Sequence, residues 1–99
     1  MPTCWTTLKA CAVQYKTHRR FDKGYAKLPP RQQDAVDRAI GMFITNPTDP
    51  SLRVHKLTGD WRGHHSLSAG GDLRIHYIED REQGVIVFVA VGSHSQLYA

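Results

Sequence analysis

Seven consecutive apolar residues at positions 85–91 (VIVFVAV), bracketed by Gly84 and Gly92, constrain this chain more than any other feature. The run is too short to cross a bilayer, which takes roughly 18 to 20 apolar residues. Nor does it alternate, as a strand with one wet face does. It predicts a central strand, with helices on one side and something else covering part of the other. At 99 residues the chain has material for one domain, residues 1–99, and no more. Its 40% hydrophobic and 22% charged residues are those of a globular chain, neither disordered nor cysteine-dense.

The helices that cover such a strand lie upstream. Phe21, Tyr25 and Leu28 fall at i, i+4 and i+7, while Arg19, Arg20, Lys23 and Lys27 occupy the rest of the wheel, which predicts a short basic amphipathic helix. Pro29 and Pro30 end it, because proline lacks a backbone donor and disfavours helix in the residue before it. A second helix is expected from near Arg31, with Ala35, Val36, Ala39, Ile40, Phe43 and Ile44 on its apolar face and Asn46-Pro47 as its stop. The two form a hairpin.

Residues 9–17, with Cys11, Val13 and Tyr15 on one face, predict a first strand, and residues 1–10 an added N-terminal arm. After a Pro-, Asp- and Ser-rich loop, the runs 54–57, 63–67, 73–78 and 85–91 read as strand, punctuated by turn residues. Leu73, Ile75 and Tyr77 alternate with Arg74, His76 and Ile78, the mark of one buried and one mostly polar face. The order β-α-α-β-β-β predicts an α+β fold, a two-helix hairpin packed on a mostly antiparallel twisted sheet.

The net charge of +4 is unevenly placed. Residues 1–33 hold seven basic side chains against Asp22 alone, a bias that suits an anionic partner such as nucleic acid or an acidic protein segment. Cys4 and Cys11 have no metal-ligand spacing and are expected to be reduced thiols. Residues 1–14 lack the pattern of a secretory signal, so the expected location is cytoplasmic, with no membrane association, no metal and no cofactor.

Six histidines are many for this length, and His55, His64, His65, His76 and His94 all fall in the strand half. Imidazole titrates near neutrality and suits proton transfer. His64 and His65 are adjacent, so at most one of them can enter a site on one sheet face. His18 is expected at the surface. Arg74, two residues from His76 on one strand face, offers a donor fork for phosphate. His94 directly follows the apolar strand, a rigid location. Trp61, in a turn, reads as a packing anchor under the sheet.

Three segments together carry a resemblance over residues 13–98: L-x-G-x-W-x-G (Leu57, Gly59, Trp61, Gly63), D-x-R-x-x-Y (Asp72, Arg74, Tyr77) and G-S-H-x-x-L-Y (Gly92, Ser93, His94, Leu97, Tyr98). In this order they resemble the RelE/ParE superfamily of bacterial type II toxins, and within it the YafQ-like ribosome-dependent mRNA interferases. The resemblance implies a RelE-like fold and a metal-independent endoribonuclease that cuts translated mRNA in the ribosomal A site. An attacking 2′-OH would leave a 2′,3′-cyclic phosphate and a free 5′-OH.

It implies His94 as general acid or base, His55 and Asp72 as further members of the site, Arg74 on the scissile phosphate and Tyr98 as an aromatic that positions a nucleotide. Arg19, Arg20, Lys23, Lys27 and Arg62 are the expected RNA contacts. The implied partners are a cognate antitoxin, the ribosome and its mRNA, with operator DNA reached only through the antitoxin. Ser68 stands where YafQ-like toxins carry a further histidine, and His64, His65 or His76 is expected to take over that proton-transfer role if activity is kept. A ParE-like toxin acting on DNA gyrase, or an attenuated toxin-like binding domain, is the alternative.

Overall fold

The computed structural model describes residues 14–98; the predicted N-terminal arm, the start of the first predicted strand and both cysteines lie outside them. Strand β1 (Gln14–Thr17) leads into helices α1 (Arg19–Ala26) and α2 (Pro30–Thr45). Then follow β2 (His55–Lys56), β3 (His65–Gly70), β4 (Leu73–Asp80), β5 (Val85–Ser93) and a terminal helix α3 (His94–Tyr98). The sheet order is β1-β5-β4-β3-β2. Every pairing is antiparallel except β1 with β5. The α+β fold with its helical hairpin on a mostly antiparallel sheet is therefore present; all four predicted runs after the helices hold strands, one more than the order β-α-α-β-β-β counts, with β2 inside the run 54–57, and the helix α3 is an addition.

Local chemistry explains the helix boundaries. His18 is the N-cap of α1 rather than part of the helix, its Nδ1 accepting from the Arg20 backbone N–H at 3.0 Å. Pro29 and Pro30 do more than end α1. Pro29 is the N-cap of α2 and Pro30 its first residue, where the missing N–H costs nothing and φ is already helical.

Phe21 of α1 and Val36, Ala39 and Phe43 of α2 pack with Leu67, Ile75, Tyr77, Ile86 and Phe88 in one core on the helix face of the sheet. β5 is flanked on both sides, as its composition predicts, but up to Phe88 its two faces differ: Ile86 and Phe88 are buried on the helix face, whereas Val85 and Val87 on the other are half-buried. A register shift opposite His76 and Tyr77 follows Phe88 and returns Val91 to the core. Among the described residues no helix is long and apolar enough to cross a membrane.

Beyond Thr17 the chain leaves the ladder, and α1 runs beside the second half of β5. Gly24 makes this approach feasible. A Cβ there would lie 2.7 Å from the Val91 carbonyl oxygen and 3.3 Å from Val91 Cγ1. Gly24→Ala would gain about 1 kcal/mol of helix propensity, but a methyl driven into backbone forces α1 off β5 at a cost of about 1–3 kcal/mol. The expected net result is a destabilised protein, read as a lower thermal midpoint by circular dichroism. A midpoint above wild type would show that α1 does not pass this close.

Candidate functional site

The sheet face opposite the helices carries the chemistry. Register places His55 opposite Ser66, Ser66 opposite His76, and His76 opposite Ala90, one row across β2, β3, β4 and β5. The next row is Ser68, Arg74 and Gly92. His55 is exposed, with Nδ1 at 2.9 Å from the Arg53 carbonyl. His76 is fully buried, at 0% exposure, under the ring of Trp61, the centroids 4.3 Å apart and nearly perpendicular. Its pKa is pulled down to about 4, mainly by burial and further by the positive charge of His64, Arg20, His55 and His94 that face it. Trp61 packs against His76, His64 and Arg20 together, and His55 lies in the same row as His76.

A histidine neutral when folded and protonated when unfolded makes stability depend on pH with a definite sign. Between pH 6.5 and 4 the unfolded chain binds the extra proton, so the contribution of His76 is complete above pH 6.5 and lost as pH falls toward 4. The loss amounts to about 3 kcal/mol. Urea unfolding at pH 7 and pH 4 should show that fall in wild type and a distinctly smaller one in His76→Gln. Parallel falls in the two proteins would reject the assignment.

His94 is held at its backbone. Ser93 Oγ accepts from the Gln96 N–H at 3.2 Å while Gln96 Oε1 accepts from the Ser93 N–H at 2.8 Å, a reciprocal capping box at the start of α3. The His94 N–H donates to the Asp72 carbonyl at 3.1 Å. Arg74 is anchored through Nη1 alone, which donates to the carbonyls of Gly71 at 2.8 Å and Leu73 at 3.1 Å and to Ser68 Oγ at 3.3 Å. Ser68 thus supports the arginine, and the hydrogen bonds described leave the rest of its fork open.

Three expected members are placed differently from the sequence reading. His65 is on the wrong face: its ring stacks on Tyr77 at 5.1 Å on the helix side, so it cannot replace the missing histidine. His76 is on the right face, yet its burial keeps it from exchanging protons with anything bound at the surface. Of the three substitutes this leaves His64, half-buried and edge-on to Trp61 at 5.2 Å. Asp72 contributes its backbone carbonyl to His94, and the residue also borders a separate cleft of about 560 Å³ with Arg31 and Arg38. Tyr98 is the last residue of α3, and its side chain lies outside the described part of the structure.

Another cleft, of about 580 Å³, lies between α1 and α3. Arg19, Arg20, Lys23 and Lys27 line one wall, and Ala90, Gln96 and Leu97 belong to the other, so the basic helix faces α3 and the end of the row that holds His76. Arg62 is exposed at the end of the turn that carries Trp61. Sequence reasoning missed Trp61 as a member of this face. It sits over the sheet rather than under it, with Arg20 Cζ 4.8 Å from the ring centroid and its Nε1–H donating to the Leu97 carbonyl at 3.1 Å. No local pattern signals these long-range contacts, whereas the Ser93-x-x-Gln96 capping box is a signal that sequence carries.

The fold is similar to that of solved toxins. YafQ from E. coli strain BL21(DE3) superimposes with a TM-score of 0.73 at 17% identity, covering 87% of this chain and 98% of that one. A chain of the E. coli DinJ-YafQ toxin-antitoxin complex gives 0.71 at 17% identity, with 87% and 97% covered. One from the toxin-antitoxin complex RelBE2 of Mycobacterium tuberculosis gives 0.59 at 22%, with 84% and 99% covered. No curated protein sequence matches the chain. The family described as bacterial toxin of type II toxin-antitoxin system, YafQ, matches residues 13–99. With that match over most of its length, the chain belongs to the YafQ family of type II toxins.

Proposed function

We propose that this toxin is a ribosome-dependent endoribonuclease that cuts translated mRNA and is neutralised by a cognate antitoxin. The observation that carries the reading is the packing of His64, His76 and Arg20 on Trp61 over the open sheet face, with His55 in the row of His76, Arg74 in the adjoining row, and the helix that begins with His94 tied to the Trp61 indole through the Leu97 carbonyl. Cleavage by the neighbouring 2′-OH needs a base for that hydroxyl, an acid for the leaving 5′-oxygen and positive charge at the phosphorane. His94 serves as one proton-transfer group and His55 or His64 as the other; Arg74 binds the phosphate.

In this reading the 2′-oxygen forms a bond to phosphorus as its proton passes to one imidazole. The bond to the 5′-oxygen breaks as the second imidazole protonates it, leaving a 2′,3′-cyclic phosphate and a 5′-OH. Arg19, Arg20, Lys23, Lys27 and Arg62 attract RNA through phosphate contacts that are independent of sequence and sensitive to salt. The same exposed basic surface suits an acidic antitoxin segment, and the DinJ-YafQ and RelBE2 complexes support such a partner.

Induced expression in bacteria tests the reading. Growth arrest with new 5′-OH ends inside translated messages is the expected result. Arrest without such ends, accompanied by DNA-damage signalling, would replace the nuclease by a gyrase-directed toxin.

A further inference from the structure

We propose that Trp61 is a positioning residue of this site, holding the Arg20 guanidinium and the helix α3 that begins with His94. The proposal rests on the endoribonuclease reading. α3 has five residues, too few to be stable alone, and its last carbonyls have no donor within the helix. Its first turn is fixed by the capping box and the Asp72 carbonyl. At its far end the Trp61 indole N–H binds the Leu97 carbonyl at 3.1 Å. With both ends tied, the rotation of α3 is set, and with it the direction in which His94 leaves the sheet.

The same ring fixes a second group. Arg20 is an exposed residue on a helix, and its long side chain samples many rotamers unless something holds it. Its Cζ lies 4.8 Å from the indole centroid, a cation–π geometry that selects one placement beside the site. Beneath the ring is His76, flanked in register by the small side chains of Ser66 and Ala90. A purely apolar anchor would meet aliphatic neighbours. Trp61 meets two imidazoles, a guanidinium and a carbonyl, drawn from the β2–β3 connection, β4, α1 and α3.

Two substitutions in the full chain separate the contributions. Trp61→Phe keeps an aromatic face for Arg20 and removes the N–H, whereas Trp61→Leu removes both. In single-turnover cleavage on programmed ribosomes, the rate should fall about 10-fold in the first and about 100-fold in the second. The ribosome concentration for half-saturation should change little. In ¹⁵N-labelled protein without ribosomes, Trp61→Phe should shift the His94 imidazole resonances, and the Trp61 indole N–H of wild type should be protected from exchange.

Wild-type rates with unmoved His94 resonances in Trp61→Phe would overturn the proposal. A loss of rate that merely follows the unfolded fraction, measured by thermal melting of the same samples, would overturn it as well. If wild type does not cut RNA and the His94 resonances still move, the nuclease reading fails while the positioning role of Trp61 stands.

Discussion

Phe88→Ala is expected to lower the unfolding free energy by about 3–5 kcal/mol, the cost of emptying a packed aromatic site. Phe88 is fully buried, and four rings surround it: Tyr15 at 5.4 Å, Phe21 at 6.0 Å, Phe43 at 6.2 Å and Tyr77 at 6.2 Å. These rings come from β1, α1, α2 and β4, so no single element can collapse into the void without leaving another behind. A small domain has only about 5–15 kcal/mol in total, and the variant should sit near the limit of folding. Val87→Ala, one residue away on the half-buried face, serves as the control and should cost much less. Urea unfolding of both proteins checks this. Equal losses would mean that the two faces of β5 are packed alike.

The position of Phe88 was legible in the sequence because an uninterrupted apolar run has one good use in a chain this size. The helices were legible for the same kind of reason: Phe21, Tyr25 and Leu28, then Val36, Ala39 and Phe43, carry their period locally, and prolines mark the junction. Less was legible where structure depends on distant residues. The run 54–57 was legible as strand, but not that only its two middle residues, His55 and Lys56, would pair. Alternation put His76 on the outer sheet face, which is correct, but could not foresee that Trp61, 15 positions earlier, folds over and buries it.

The pair His64-His65 shows the same limit. Period-2 geometry requires that the two point to opposite faces, yet only the pairing of His65 with Tyr77 decides which of them meets the helices. The resemblance implies Asp72 as a member of the site, and the contact the structure gives it with His94 is through its backbone carbonyl. Side-chain motifs identify which residues are special more readily than which of their atoms act.

On the proposed nuclease reading, His94→Ala is expected to lower the rate of mRNA cleavage by about 10²- to 10⁴-fold, the span associated with removal of a positioned acid or base. Ribosome affinity should be nearly unchanged, because on that reading the basic side chains of α1, and not a single imidazole at the start of α3, supply most of the attraction to RNA phosphates. Arg19→Ala and Lys23→Ala should behave in the opposite way. Each removes a cation from the wall of the α1–α3 cleft, which weakens binding and lowers the salt dependence by about one ion for each phosphate no longer neutralised, with little effect on the saturated rate. Measuring rate and half-saturation at two salt concentrations for the three variants separates the roles. If His94→Ala cut mRNA at the wild-type rate, proton transfer would belong to His55 and His64 alone, and the capping box at Ser93 and Gln96 would be holding α3 for some purpose other than cleavage.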